Sequence, residues 1–200
     1  EKSLVLLKND HVLPLETSSS STFLVLGVLA TTENTGDHGS SHVYPPDVVT
    51  PLEGLREGAP EGCQIIYDQG DDLERVAGLA KSADHVLVVA GFTHADEGEY
   101  IPGEPPDAPS GGTISIGGDR VDLRLGETQE ALIRAAAQAN PKTVVAVMAG
   151  SAVIVEAWAE EVAGILLLWY PGMQGGHALA DVVFGRVNPS GRLPFSMPKS

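Results

Sequence analysis

Six short apolar runs, rich in Val, Leu and Ile, constrain the fold of this chain more than any other feature of its sequence. Each run is continuous rather than alternating, which is typical of strands that are covered on both faces, as in a parallel sheet between two layers of helices. The runs begin at residues 3, 22, 63, 85, 143 and 164 and read SLVLLKN, TFLVLGVLA, CQIIYD, HVLVVAGF, TVVAVMAG and GILLLWY.

Helical patterns lie between or after these runs, over residues 71–83, 127–140 and 174–185. Pro141 ends the second pattern, and Gly185 is suited to cap the third. Because strands and helices alternate, the sequence predicts an α/β fold: a doubly wound three-layer α/β/α sandwich with a mainly parallel sheet of six strands. Its 200 residues match the usual size of one domain, so residues 1–200 are expected to form a single domain.

Charge and motif content disfavour several classes of protein. The net charge of −15 repels phosphate backbones and no basic cluster occurs, so neither nucleic acid nor an anionic membrane is an expected partner. No apolar run approaches the roughly 20 residues that span a bilayer. A nucleotide or flavin site is disfavoured because no Gly-x-Gly-x-x-Gly follows the first strand and no phosphate-loop lysine is present. No cofactor is predicted, and localisation stays open.

An acidic segment, THADEGEYIPG at residues 93–103, follows the fourth apolar run. It is predicted to be a loop and contains Asp96, Glu97 and Glu99. A long irregular loop is predicted from about Asp96 to Asp122. In open α/β sheets the binding crevice lies beyond the carboxyl ends of the strands, which is where this segment would fall. The alternative is that the three acids are simply solvated. His94 has no second histidine at ligand spacing, so no metal site is predicted.

Three segments resemble the C-terminal α/β-sandwich domain of glycoside hydrolase family 3, the β-glucosidase family. SLVLLKNDHVLPL is similar to the opening of that domain, VTPLEGLRE to its Thr-Pro-Leu-x-Gly-Leu segment, and WYPGMQGGHALADVVFGRVNPSGRLPFSMPKS to its closing segment. Two departures stand out. Met173 replaces the family's Gln, and a Pro/Gly-rich insertion separates EGEYIPG from GGDR. Arg120, in GGDR, matches the family's Asp-Arg and is expected to tie the loop down through a bidentate carboxylate pair.

The resemblance implies a retaining β-glycosidase, which uses two carboxyl groups about 5–5.5 Å apart, one as nucleophile and one as acid and then base. In this family the nucleophile Asp comes from an N-terminal (β/α)8-type barrel. The acid/base Glu commonly comes from this second domain, in a Glu-Gly-Tyr/Phe-like context. Glu97 and Glu99 both match that context, and Asp96 is a weaker match. The barrel is absent from these 200 residues, so the isolated chain is expected to be inactive.

The stretch GDHGSS, which follows the second apolar run, resembles a loop that approaches the sugar in family members. Asp37, His38 and Ser40 are therefore candidate ligands for sugar hydroxyls, although a self-satisfied glycine turn explains the same residues. The expected partners are a β-linked glucoside or oligosaccharide and the barrel domain. The competing hypothesis is a non-catalytic carbohydrate-binding or scaffold domain of the same fold.

Overall fold

The computed structural model describes residues 1–36, 38–98, 120 and 122–199. All six apolar runs form strands of one sheet. Their bounds are Val5–Asn9 (β1), Thr22–Leu26 (β2), Gln64–Asp68 (β3), His85–Gly91 (β4), Thr143–Met148 (β5) and Gly164–Leu167 (β6). Strands β4 and β5 are buried along their whole length, as their continuous apolar sequences predict.

The order of the strands across the sheet is β1-β6-β5-β4-β2-β3. Strands β2 to β6 pair in parallel, and β1 pairs with β6 in the antiparallel sense. The predicted α/β sandwich with a mainly parallel sheet is therefore confirmed. The second apolar run forms a shorter strand than its sequence suggests, because the backbone turns at Gly27 (φ 100°) and residues Val28–Thr31 form a 3-10 helix.

In the described part of the chain, five α-helices accompany the sheet, and three of them fall within the predicted patterns. The helices are Pro51–Gly58 (α1), Leu73–Ser82 (α2), His94–Glu97 (α3), Glu127–Ala139 (α4) and Gly175–Val183 (α5). Helix α1 was not predicted, although Thr50 and Glu53 close a capping box around its first turn. Residues 94–97 were predicted to be part of a loop.

The helices form two layers, one on each face of the sheet. Helices α2 and α4 pack together over one hydrophobic cluster, and α1 and α5 pack together over the other. Glycines let α1 and α5 approach closely, since a Cβ added to Gly54 would lie 2.0 Å from the backbone of Gly176. Among the described residues, no helix combines the length and the apolar character needed to cross a bilayer.

Candidate functional site

The acidic segment begins with a helix of a single turn at the carboxyl end of β4. Thr93 and Asp96 close a capping box there: the Asp96 carboxylate accepts from the backbone N–H of Thr93 at 2.8 Å and from its hydroxyl at 3.0 Å. Asp96 also lines a hollow of about 440 Å³ between Gly27, after β2, and Gly91, at the end of β4. Asp96 therefore stabilises the start of α3, which is a structural use of this carboxylate.

Glu97, the last residue of α3, turns its carboxylate inward. Its Oε1 atom accepts from the backbone N–H of Gly150 at 2.5 Å and from the hydroxyl of Tyr170 at 2.6 Å. Its Oε2 atom lies 2.8 Å from Nε of Arg120, and the Glu97 side chain is only 7% exposed. Both carboxylate oxygens thus have protein donors, one of which is a cation.

Arg120 supplies that cation from the far side of residues 99–119. Its side chain is 6% exposed, and the guanidinium lies 4.1 Å over the ring of Phe92, the residue that follows β4. Its Nη2 atom donates to the carbonyl of Ala152 at 2.8 Å and to the hydroxyl of Ser151. Arg120 does tie this region to the sheet, as expected, but only Nε contacts the carboxylate; the bidentate pairing we expected is not formed because Nη2 is used elsewhere.

Tyr170 reaches Glu97 from the end of β6. The chain bends sharply before it, since Trp169 has a positive φ of 59° and donates its indole N–H to the carbonyl of Ser3. Burial, and then the hydrogen bond to Glu97, raise the pKa of Tyr170 well above its ordinary value. The phenol therefore keeps its proton and remains a donor to Glu97.

A glycine is needed at position 150 for this arrangement. A Cβ there would lie 2.9 Å from the ring of Tyr170 and 3.3 Å from Oε1 of Glu97. The residues that follow β5 and β6 thus converge on one carboxylate from α3. We call this set, Glu97, Arg120, Gly150 and Tyr170, the Glu97 clamp.

The fold brings some of the residues that were predicted for the site close to one another. His38 stacks on His94 of α3, with ring centroids 3.8 Å apart, so the loop after β2 meets the acidic segment. Ser40 is exposed in the turn that follows His38. Asp37 and Glu99 lie outside the described residues, as does the Pro/Gly-rich insertion.

Gly150 and Tyr170 were missed as site residues by the sequence analysis. Gly150 comes two residues after the end of β5, and Tyr170 comes three residues after the end of β6. Because the carboxyl ends of parallel strands share one edge of a sheet, their positions were a usable signal. Nothing in the local sequence, however, indicates that both would contact Glu97, because that depends on β5 and β6 being neighbours near β4.

Comparisons with known proteins all lead to one protein family. The model of the glycosyl hydrolase family 3 C-terminal domain matches residues 4–200. The chain is 33% identical to a β-xylosidase of Formosa agariphila over 100% of its length, and 34% identical to an exo-α-(1→6)-L-arabinopyranosidase of Bifidobacterium longum over 98%. Among solved structures, the β-glucosidase of Bifidobacterium adolescentis superposes with a TM-score of 0.72 at 34% identity over 94% of the chain.

These relatives are much longer than the present chain. It spans 27% of the β-xylosidase, 26% of the arabinopyranosidase and 26% of the β-glucosidase structure. The similarity therefore concerns one region of each of these enzymes. Their names also differ in the sugar they act on.

Proposed function

Because the chain belongs to the glycosyl hydrolase family 3 C-terminal domain family, we propose that it supplies the general acid/base, and part of the sugar-binding wall, of a retaining β-glycosidase. The observation that carries this proposal is the placement of the acidic segment. It starts at the carboxyl end of β4 and is held there by groups that follow β5 and β6. That edge is where open α/β sheets bind their ligands.

The contacts of Glu97 favour Glu99 as the acid/base residue. An acid/base carboxyl must come within hydrogen-bonding reach of the glycosidic oxygen. Glu97 is 7% exposed, and both of its oxygens already accept from protein donors. Glu99 follows two residues later and carries the alternative match to the family context, Glu before Tyr100. Glu97 remains the second candidate.

The proposed chemistry has two steps. A nucleophilic Asp on the barrel domain attacks the anomeric carbon while the acid/base gives its proton to the departing glycosidic oxygen. The same carboxylate then takes a proton from water, which attacks the glycosyl-enzyme and releases the sugar. In this proposal the domain acts as general acid in the first step and as general base in the second.

The loop after β2 is proposed to form part of the sugar-binding wall. The stacking of His38 on His94 supports this role, since it places that loop against α3. Asp37 and Ser40 belong to the same loop and offer further acceptors and donors for hydroxyl groups. A β-linked glucoside or oligosaccharide is the proposed substrate class.

Exposed apolar side chains support a barrel domain as the partner at this edge. The large hydrophobic residues that are exposed in the described part of the chain all follow the carboxyl ends of β2, β3 or β6: Val28, Val43, Tyr44, Leu73 and Met173. An interaction surface typically exposes apolar side chains. A barrel docked there would place its nucleophile beside the acidic segment.

Substitution of Glu99 in the full-length enzyme tests the proposal. The sugar is first identified by screening aryl β-glucosides and β-xylosides. Glu99→Ala is then expected to lower kcat/KM on the phenyl glycoside by roughly 10²–10⁴-fold, since that leaving group needs a proton. With the 2,4-dinitrophenyl glycoside, added azide should restore turnover and yield the glycosyl azide, because azide attacks the glycosyl-enzyme without a general base.

Glu61→Ala is the matched control, since Glu61 is an exposed acid that precedes β3 and therefore lies at the opposite edge of the sheet. It should leave both substrates within a few fold of the unchanged enzyme. Full activity of Glu99→Ala and of Glu97→Ala would contradict the proposal and favour the non-catalytic carbohydrate-binding or scaffold domain.

The isolated 200-residue chain should be inactive if the nucleophile lies on the barrel. Purified chain at micromolar concentration is assayed on aryl β-glycosides, with circular dichroism to show that it is folded. Robust turnover by the folded chain would contradict the assignment of the nucleophile to another domain.

A further inference from the structure

The Glu97 clamp joins two residues, Glu97 and Arg120, that lie on either side of Glu99 in the sequence. Nε of Arg120 lies 2.8 Å from Oε2 of Glu97. Because both side chains are at most 7% exposed, solvent and salt screen this contact much less than an ion pair on the surface. Glu97 and Arg120 are therefore held at one defined place.

That place is determined by the sheet. Gly150 and Tyr170, which hold Glu97, follow β5 and β6, and Phe92, which lies under Arg120, follows β4. Three adjacent strand ends thus fix the clamp, and these strands form the buried centre of the sheet. A site supported by rigid strands is held more precisely than one that rests on loops alone.

Covalent geometry links the clamp to Glu99. The α-carbons of residues two apart in a chain are separated by at most about 7 Å. Displacing Glu97 therefore displaces the point from which Glu99 extends. Proton transfer is sensitive to such a change, because a misplacement of about 1 Å can reduce a rate by roughly 10²-fold.

We propose that Glu97, Arg120 and Tyr170 are positioning residues, which fix the acid/base of this glycosidase relative to the glycosidic oxygen without touching substrate themselves. This inference rests on the proposed function. It assigns to Glu97 a role other than the acid/base role, and it adds Tyr170, which no sequence motif marks as functional. The alternative is an ion pair that contributes only to the stability of the fold.

The leaving group of the substrate separates these two roles. A misplaced acid slows departure of a poor leaving group, which needs a proton, and hardly affects dinitrophenolate, which does not. Loss of stability alone reduces the amount of folded enzyme and lowers both rates equally. The ratio of kcat/KM for the two substrates therefore reports positioning and is insensitive to folding.

The experiment uses the full-length enzyme with Glu97→Gln and Tyr170→Phe. Each variant is expected to lower kcat/KM on the phenyl glycoside by about 10–100-fold, with the dinitrophenyl glycoside within about threefold of the unchanged enzyme. Tyr170→Phe preserves the ring and removes only the donor to Oε1, so it is the gentler substitution should Glu97→Gln fail to fold. Asp68→Asn is the matched control, since Asp68 also accepts from an arginine and a backbone N–H at the end of a strand. It should leave the ratio unchanged.

Three outcomes would overturn the proposal. Equal losses on both substrates, in step with the folded fraction, would make the clamp purely structural. An unchanged ratio in folded Tyr170→Phe would exclude Tyr170. Rescue of Glu97→Ala by azide, with release of glycosyl azide, would make Glu97 the acid/base itself. Failure of the proposed function is distinguishable from all three, since Glu99→Ala and Glu97→Ala would then both retain full activity.

Discussion

Two arginine–carboxylate contacts stand at the same edge of the sheet and differ in how they are built. At the end of β3, Nε of Arg75 lies 2.6 Å from Oδ2 of Asp68, and Oδ1 of Asp68 accepts from the backbone N–H of Gly70 at 2.8 Å. Arg75 is 45% exposed and contacts Asp71 as well. In the Glu97 clamp the arginine is 6% exposed. The residues at the end of β3 form the set that we call the Asp68 clamp: Asp68, Gly70, Asp71 and Arg75.

The difference between the clamps lies in distance along the chain and in exposure to water. The members of the Asp68 clamp fall within one turn and the start of α2, whereas Glu97, Arg120, Gly150 and Tyr170 come from four separate stretches. An exposed pair gains little because water and salt screen it. A buried pair has lost its hydration, so removal of one partner leaves a charge that nothing compensates. The Glu97 clamp should therefore be the more sensitive of the two.

Removal of each arginine gives the largest expected contrast. Arg120→Ala should reduce the free energy of unfolding of the chain by about 3–5 kcal/mol, because it strands the buried Glu97 carboxylate. Arg75→Ala should reduce it much less, because Arg75 is half exposed and its contacts are screened by water and salt. Urea unfolding followed by circular dichroism measures both. If both variants lost the same free energy of unfolding, the two clamps would not differ in their contribution to stability.

Substitution of glycine tests the packing of the Glu97 clamp on a smaller scale. Gly150→Ala should destabilise by about 1–3 kcal/mol, since the added methyl would press on the Tyr170 ring and on Glu97. Gly78→Ala, on the helix that carries Arg75, has open space around its Cβ and should stabilise by about 1 kcal/mol. Thermal melts of the two variants should therefore shift in opposite directions. If Gly150→Ala left the melting temperature unchanged, the side chains of Tyr170 and Glu97 would be able to move aside at little cost.

The smallest expected effect is the change with pH in the free energy of unfolding that the Asp68 clamp contributes. The hydrogen bond from Arg75 holds the pKa of Asp68 below its ordinary range. A carboxyl whose pKa is depressed by folding stabilises the protein above its unfolded pKa, near about 3.9, and loses that contribution as the pH falls through the folded pKa. The difference in unfolding free energy between the unchanged chain and Asp68→Asn should be constant at about pH 5–7, at about 1 kcal/mol or less.

That difference should shrink as the pH falls below about 4, because the remaining charge on Asp68 is then titrated away. Urea titrations at several pH values measure it. A difference that grows toward low pH would mean that the carboxyl is protonated more readily in the folded chain than in the unfolded one.

The architecture was well predicted from sequence because the signals for it are local. Continuous apolar runs mark strands buried on both faces, and residues such as Pro141 and Asp72 mark where helices end or begin. The prediction was wrong about residues 94–97, which form a short helix, since a single turn is too brief to show periodicity. Helix α1 was not predicted, because its eight residues include one Pro and two Gly, which are not typical of a helix interior.

The sequence by itself determined the class of fold, the family and the edge of the sheet where the acids lie, because each of these follows from neighbours along the chain or from long motifs. Only the tertiary structure decided what Glu97 does. Its three donors come from residues 120, 150 and 170, and they meet only because β4, β5 and β6 lie side by side. The order of strands in a sheet depends on which faces pack best together, and no local stretch of sequence encodes that.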